Sequence, residues 1–135
     1  MKKLSIVFMF LLTSALFACK GNKGGNTADA VKSVSLKFTE LGRETIISID
    51  CDKFEHYFPE SKVKTLTKGP GIDSLMQILN ALKKAEDGYK PDVRGKILIT
   101  HTSNIVDTLC VGVKVLNYKG ITYETPQELL RFIQQ

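Results

Sequence analysis

Arginine is scarce in this 135-residue chain. Ahead of the last helical stretch it has only Arg43 and Arg94, and nowhere do basic and aromatic residues interleave. A nucleic-acid interface needs a clustered basic stripe and stacking rings, so nucleic acid is excluded as a partner. The chain also lacks Cys-x-x-Cys and His-x-x-x-His spacings, which removes the usual frameworks for a metal. It has no nucleophile elbow and no glycine-rich phosphate loop: Gly24-Gly25 and Gly69-Pro70-Gly71 sit in a polar tract and a turn. No catalytic residue, metal ligand or cofactor is predicted. No internal repeat is present. Finally, no uncharged run reaches the roughly 20 residues that cross a bilayer as a helix; the run from Leu4 to Ala18 has 15.

That run is informative for what surrounds it. Lys2 and Lys3 precede it, and Leu16-Phe17-Ala18-Cys19 ends it. A basic start and an apolar segment of about 7–15 residues are the pattern of a secretory signal. The four residues at its end resemble the lipobox of bacterial lipoprotein precursors. The resemblance implies a signal peptide over residues 1–18, cleavage before Cys19, and a diacylglyceryl group on the Cys19 thiol. It covers only the first twenty or so residues. It also implies a bacterial cell-envelope location, with the membrane reached through the lipid on Cys19. Lys20 is not the aspartate that some lineages read as inner-membrane retention, so the outer membrane is preferred over the inner.

Residues 19–30 carry the lipidated cysteine and a tract, KGNKGGN, without apolar residues. Such composition behaves as a flexible leash. Residues 31–135 are expected to be a single domain, long enough to bury a core unaided. Loss of Lys2 and Lys3 would take the formal charge from +5 to +3, a weak bias with no patch to focus it.

Alternation of apolar and polar residues predicts strands, and three-to-four spacing predicts helices. Val34, Leu36 and Phe38 mark a first strand. Residues 44–51 (ETIISIDC) read as a second, forming an antiparallel hairpin with the first and presenting Ile47, Ile49 and Cys51 on one face. Asp52 is placed as the cap of a short helical turn that buries Phe54 and either Tyr57 or Phe58, and Pro59 ends it. Residues 62–68 (KVKTLTK) read as an edge strand guarded by lysines. Ile72, Leu75, Met76, Leu79 and Leu82 form the stripe of a helix reaching Ala85, with Lys83 and Lys84 in its last turn. Strands follow over 95–102, 105–116 and 121–124. Gly112 marks a bulge or bend, and Asn117-Tyr118-Lys119-Gly120 a hairpin turn. Ile105, Leu109, Val111, Val113 and Val115 are expected on one face. Thr125, Pro126 and Glu128 make a capping box for the last helix. The expected fold is α+β: an antiparallel sheet of about six strands with two helices on one face, in the order β-β-β-α-β-β-β-α.

Cys51 and Cys110 remain once Cys19 is assigned to lipid. An oxidising compartment permits a disulfide between them, though two buried free thiols fit the sequence as well. Two clusters hold metal-capable side chains: Asp50, Cys51 and Asp52 with Glu55 and His56, and His101, Asp107 and Cys110. A cysteine–histidine pair drawn from these residues is the remaining nucleophile arrangement. Aromatic side chains supply a third kind of site. Phe54, Tyr57, Phe58, Tyr89, Tyr118 and Tyr123 fall on loops or short elements, and Tyr57, Phe58, Tyr89 and Tyr118 are the expected contacts for a partner protein or envelope polymer. The leading expectation is a small lipid-anchored, non-enzymatic binding module. The alternatives are a metal- or small-molecule-binding module using Cys and His residues, and a thiol-dependent envelope enzyme.

Overall fold

The computed structural model describes residues 29–135. The signal sequence, Cys19 and the leash as far as Ala28 lie outside the described residues. Six strands form one open antiparallel sheet: β1 (Val31–Phe38), β2 (Lys62–Leu66), β3 (Val93–His101), β4 (Val106–Gly112), β5 (Val115–Tyr118) and β6 (Ile121–Glu124), in the spatial order β2-β1-β3-β4-β5-β6. Three helices accompany it: α1 (Phe54–Tyr57), α2 (Pro70–Asn80) and α3 (Gln127–Gln134). The fold is therefore α+β. No helix among the described residues is long and apolar enough to cross a membrane.

Strand alternation builds the main core. Val34 and Leu36 of β1 lie opposite Ile99 and Ile97 of β3. Ile97 in turn lies opposite Leu109 of β4. Onto this side pack Ile72, Leu75 and Leu79 of α2 and Leu129, Leu130 and Ile133 of α3. The i, i+3, i+7 spacing of the first three keeps them on one helix face, and burial of that face holds the helix more than propensity does. A second, smaller core contains Ile49, Phe54, Phe58 and Val93, with Cys51 and Cys110 packed against it.

Several expectations are corrected. Residues 44–51 are not a strand, so β1 has no hairpin partner there; it pairs with β2 and β3 instead. Ile46 and Ile47 are exposed, and only Ile49 of that segment is buried. The strand expected over 105–116 is two strands, because the chain turns at Val113-Lys114. At Gly112 a Cβ would stand 2.8 Å from the Val115 carbonyl oxygen and 2.9 Å from that of Asp92, so only glycine fits the bend. Ile105, in the turn before β4, and Val113, in the bend after it, are exposed, while Leu109, Val111 and Val115 are buried. The Lys119-Gly120 turn does carry positive φ at both residues, 51° and 78°, the conformation of a two-residue hairpin loop.

Helix α2 stops at Asn80, short of Ala85. Beyond it the chain runs along β6: the Glu124 amide donates to the Lys83 carbonyl at 2.9 Å, and the Ala85 amide to the Thr122 carbonyl at 3.0 Å. Lys83 and Lys84 thus cover a sheet edge and do not sit in a helical last turn. Asp52 lies inside a 3-10 turn, Cys51–Lys53, that leads into α1, and gives no cap. Thr125 does not cap α3 either, because its hydroxyl donates to the Gly112 carbonyl at 2.8 Å.

Candidate functional site

The sequence-predicted site residues do not converge on one place. Phe58 is 4% exposed and fills the second core, so it is withdrawn as a partner contact. Phe54 is buried beside it, the ring centroids 5.4 Å apart. Tyr57 is exposed on α1, edge-on to His56. Tyr123 and Tyr118 pack against the main core. Tyr89 stands free in the loop before β3.

Cys51 and Cys110 are joined as a disulfide with Cα atoms 5.5 Å apart. Cys110 lies on β4 as expected, whereas Cys51 opens the 3-10 turn and is not on a strand. Both sulfurs are in the bond, so neither is available as a thiolate ligand or nucleophile. The first metal-capable cluster disperses further. Glu55 turns onto the sheet, 3.3 Å from Lys37 Nζ and 3.1 Å from Lys96 Nζ. Burial opposes ionisation of Glu55, but the hydrogen bond from Lys96 prevails and its carboxyl is lowered below the ordinary range. Among the described residues no three His, Cys, Asp or Glu side chains gather as a metal site.

Two of the three residues of the second cluster do assemble, at the end of the sheet where β1 begins. His101 Nε2 is 3.0 Å from Asp107 Oδ2, and Lys119 Nζ is 3.0 Å from the same oxygen. The Tyr118 hydroxyl donates to it at 3.2 Å. Cys110 is absent from this group because residue 110 faces the other side of the strand from 107 and 109. Burial opposes the charge on Asp107, yet hydrogen bonds from Lys119 and His101 hold its carboxyl below the usual range. The other ring nitrogen of His101 lies 3.0 Å from the Asp29 carbonyl oxygen, and that bond, with Asp107, raises the imidazole. The hydroxyls of Thr102 and Ser103 donate to the Asp29 carboxylate. These groups fasten the root of β1 to the β3–β4 turn. Both ring nitrogens of His101 are engaged, and three groups converge on Oδ2 of Asp107, so the cluster acts as a clasp within the protein.

The opposite end of the sheet carries a groove of about 660 Å³. Its framework is a buried arginine that sequence reasoning passed over. Arg94 is 4% exposed. Its Nε donates to the Arg43 carbonyl at 2.8 Å, and its two terminal nitrogens reach the Asp92 carboxylate at 2.6 and 2.8 Å. The same guanidinium donates to the Thr45 hydroxyl at 2.8 Å and the Val93 carbonyl at 3.0 Å. Asp92 Oδ1 also accepts the Ile49 amide at 2.9 Å. Planar, forked donors suit such a multidentate role, which lysine cannot copy. The guanidinium carbon of Arg43 lies 5.4 Å, and that of Arg94 5.6 Å, from the centroid of the Phe58 ring.

This staple holds the chain from Arg43 to Ile49 outside the sheet. Thr45 donates to the Ile47 carbonyl at 2.7 Å, tightening the tip. Ile46, Ile47, Tyr89 and Val113 are the exposed apolar side chains of this end, and Ile46 is fully exposed. Arg43, Lys90 and Lys114 stand on the groove with one unpaired carboxylate, Glu44. A neighbouring groove of about 450 Å³ shares Tyr89 and Lys90 and reaches the disulfide. A concave surface with an apolar rim and a few charges is the kind of place where a ligand or partner can be held. Comparison with protein-family models, curated proteins and solved structures gave no match, so what the groove does must follow from its own geometry.

Proposed function

We propose that the chain is a small lipid-anchored protein of the bacterial cell envelope that acts as a non-enzymatic interaction module, contacting its partner through the groove at Tyr89. The lipobox resemblance at Leu16–Cys19 supports the anchor. One observation carries the module: the root of the domain and the groove lie at opposite ends of the sheet. Asp29 is bonded to Thr102 and Ser103, just past the C-terminal end of β3. Asp92, Arg94 and Val113 mark the N-terminal end of that strand. Nine strand residues separate the ends by about 25–30 Å. A lipid on Cys19 would therefore attach the domain at the end of the sheet far from the groove, leaving the groove open to a partner.

Two measurements test this reading. Replacing Cys19 with Ala should abolish incorporation of labelled palmitate and release the protein from the membrane fraction; persisting label refutes the anchor. A photo-crosslinking residue at Tyr89 in the full chain should yield a discrete adduct in intact cells, while one at Asp73, on the exposed face of α2, should not. Equal adducts at both positions, or none at either, refute the groove as the contact.

A further inference from the structure

The two edges of the open sheet are treated differently. The outer edge of β6 is covered: the Glu124 amide and the Thr122 carbonyl bond to the Lys83 carbonyl and the Ala85 amide, and Lys84 lies opposite Tyr123 in an antiparallel bridge. The outer edge of β2 is bare. This strand pairs with β1 alone, in a continuous register from Lys62 opposite Phe38 to Leu66 opposite Val34. Its outward groups follow from the strand beyond. The Thr39 amide donates to the Arg94 carbonyl of β3, so odd-numbered residues of β1 turn their backbone toward β3 and even-numbered ones toward β2. Lys62, Lys64 and Leu66 therefore bond to β1. Val63 and Thr65 turn their amides and carbonyls outward, with no partner among the described residues.

Bare edges are ordinarily made harmless by shortness, proline, a bulge or lysine. Strand β2 is five residues long, with no proline and no break in its register. It is guarded by Lys62, Lys64 and, just past its end, Lys68. Proline and bulges refuse any strand, by geometry. Lysine refuses by charge, so it repels a strand bearing cations and admits one bearing carboxylates.

We infer that β2 is a docking edge for an extended segment of a partner protein that alternates carboxylate and β-branched apolar residues and adds to the sheet as a further strand. The register dictates the alternation. Lys62 and Lys64 lie opposite Phe38 and Leu36, on the face that carries the helices, with no carboxylate beside them in the ladder. Val63 and Thr65 lie opposite Lys37 and Ser35 on the other face, and Val63 is 62% exposed. An incoming strand thus meets cations on one face and uncharged, β-branched side chains on the other. The carboxylates of the flanking segments are Glu40, which lines a small hollow with Lys62, Glu60 in the turn before β2, and Asp73 in the first turn of α2. They belong to segments beyond the ends of the strand, and none pairs with Lys62, Lys64 or Lys68 among the described residues; Glu55 is taken by Lys37 and Lys96. Lys64, at the middle of the strand, is left unmatched. A second copy of this edge is a poor occupant, since β2 paired antiparallel with itself sets lysine against lysine. The chain's own leash is poor too, because Lys20 and Lys23 are its only charges before Asp29. This contact is additional to the groove at Tyr89, which no residue of β2 lines.

The probe is a fluorescent peptide of about eight residues alternating Glu and Val, long enough for one strand pairing, added at low salt to the full chain in zwitterionic nanodiscs. Saturable binding, read by anisotropy, is expected, with slowed amide exchange at Val63 and Thr65. Lys62→Glu/Lys64→Glu should weaken it about tenfold or more. Thr65→Pro tests the backbone alone. It removes an outward amide that β1 does not use, a place where an edge strand tolerates proline, so binding should be lost from a folded chain. If that variant misfolds, a peptide with alternate backbone nitrogens methylated replaces it and should not bind. The inference is overturned by absence of peptide binding, which leaves the lysines as a guard alone, or by equal binding of an isomer with its Glu and Val residues in two blocks. Unchanged binding in folded Thr65→Pro or of the methylated peptide overturns it too, as does protection that arises elsewhere than β2. Shifts of the Val63 and Thr65 amide signals with phosphatidylglycerol vesicles but not with the peptide would make the lysines a membrane contact and refute strand addition. The Tyr89 crosslink is read separately, so failure at β2 leaves the groove standing.

Discussion

Replacing Arg94 with Ala should unlatch the groove without melting the sheet. The side chain is 5% exposed and gives hydrogen bonds to two backbone carbonyls, one hydroxyl and both oxygens of Asp92. Removing one partner of a buried ion pair costs about 3–5 kcal/mol, since the other charge is left behind. Asp92 is 48% exposed, so water recovers part of its hydration and the lower end, about 3 kcal/mol, is expected. For a domain of this size each kcal/mol moves Tm by about 4–8 °C, so the midpoint should fall by roughly 12–24 °C. Arg94→Lys keeps the charge but loses the fork, and should fall about halfway between. Denaturant unfolding with the disulfide intact measures the energy, and amide exchange locates it. Protection should vanish at Ile49, whose amide bonds to Asp92, while Ile97 and Leu109 at the centre of the sheet stay protected. A loss below about 1 kcal/mol, the value of an ordinary surface pair, would refute the staple. Unchanged protection at Ile49 would refute it as well.

Three further outcomes are expected. Replacing Cys51 and Cys110 together by Ala should destabilise the domain by about 4 kcal/mol, from the chain-entropy estimate for a loop of this size, and mass spectrometry of the native protein should find the pair oxidised; free thiols on denaturation without reductant contradict the bond. Gly112→Ala forces a Cβ to within 3.0 Å of two carbonyl oxygens of the backbone, so a loss of at least about 2 kcal/mol by denaturant unfolding is expected; a neutral substitution contradicts the close approach. His101 is raised by its bonds to Asp29 and Asp107, so the clasp contributes its full stability below the imidazole's ordinary titration near 6.5 and loses it as pH rises through the higher native value. The stability difference between the native protein and His101→Gln should therefore shrink on going from mildly acid to alkaline solution, and a difference that grows with pH contradicts the assignment.

The elements that were legible in the sequence are those whose burial follows local periodicity. Val34 and Leu36, or Ile72, Leu75 and Leu79, meet the core because alternation and helical spacing put them on one face, whatever the topology. Residues 44–51 were misread because their strand composition is overruled from 43 positions away, where Asp92 takes the Ile49 amide. No local pattern records that. Arg94 was missed because Val93-Arg94 looked like loop before the strand at Gly95. The available signal was an arginine two residues from an aspartate in a chain whose other cations are nearly all lysine. Thr125 had every local mark of a cap, yet a carbonyl from the β4–β5 bend captured its hydroxyl. The clasp at Asp107 was half visible, since His101 and Asp107 lie across a hairpin, whereas Lys119 and Tyr118 arrive from a different turn.

The arrangement of the two ends also has a mechanical consequence. Strand β1 starts at the clasp, runs the length of the sheet between β2 and β3, and ends near the loop that leads to the groove. A pull exerted between Asp29 and the tip at Ile46 therefore acts along β1. Its backbone bonds on both sides are loaded in shear, all at once, and cannot open one after another like a zipper. From the tip the load is shared by Arg94 into β3 and, through the disulfide, into β4. The domain is braced as a tension member between whatever holds its root and whatever its groove grips.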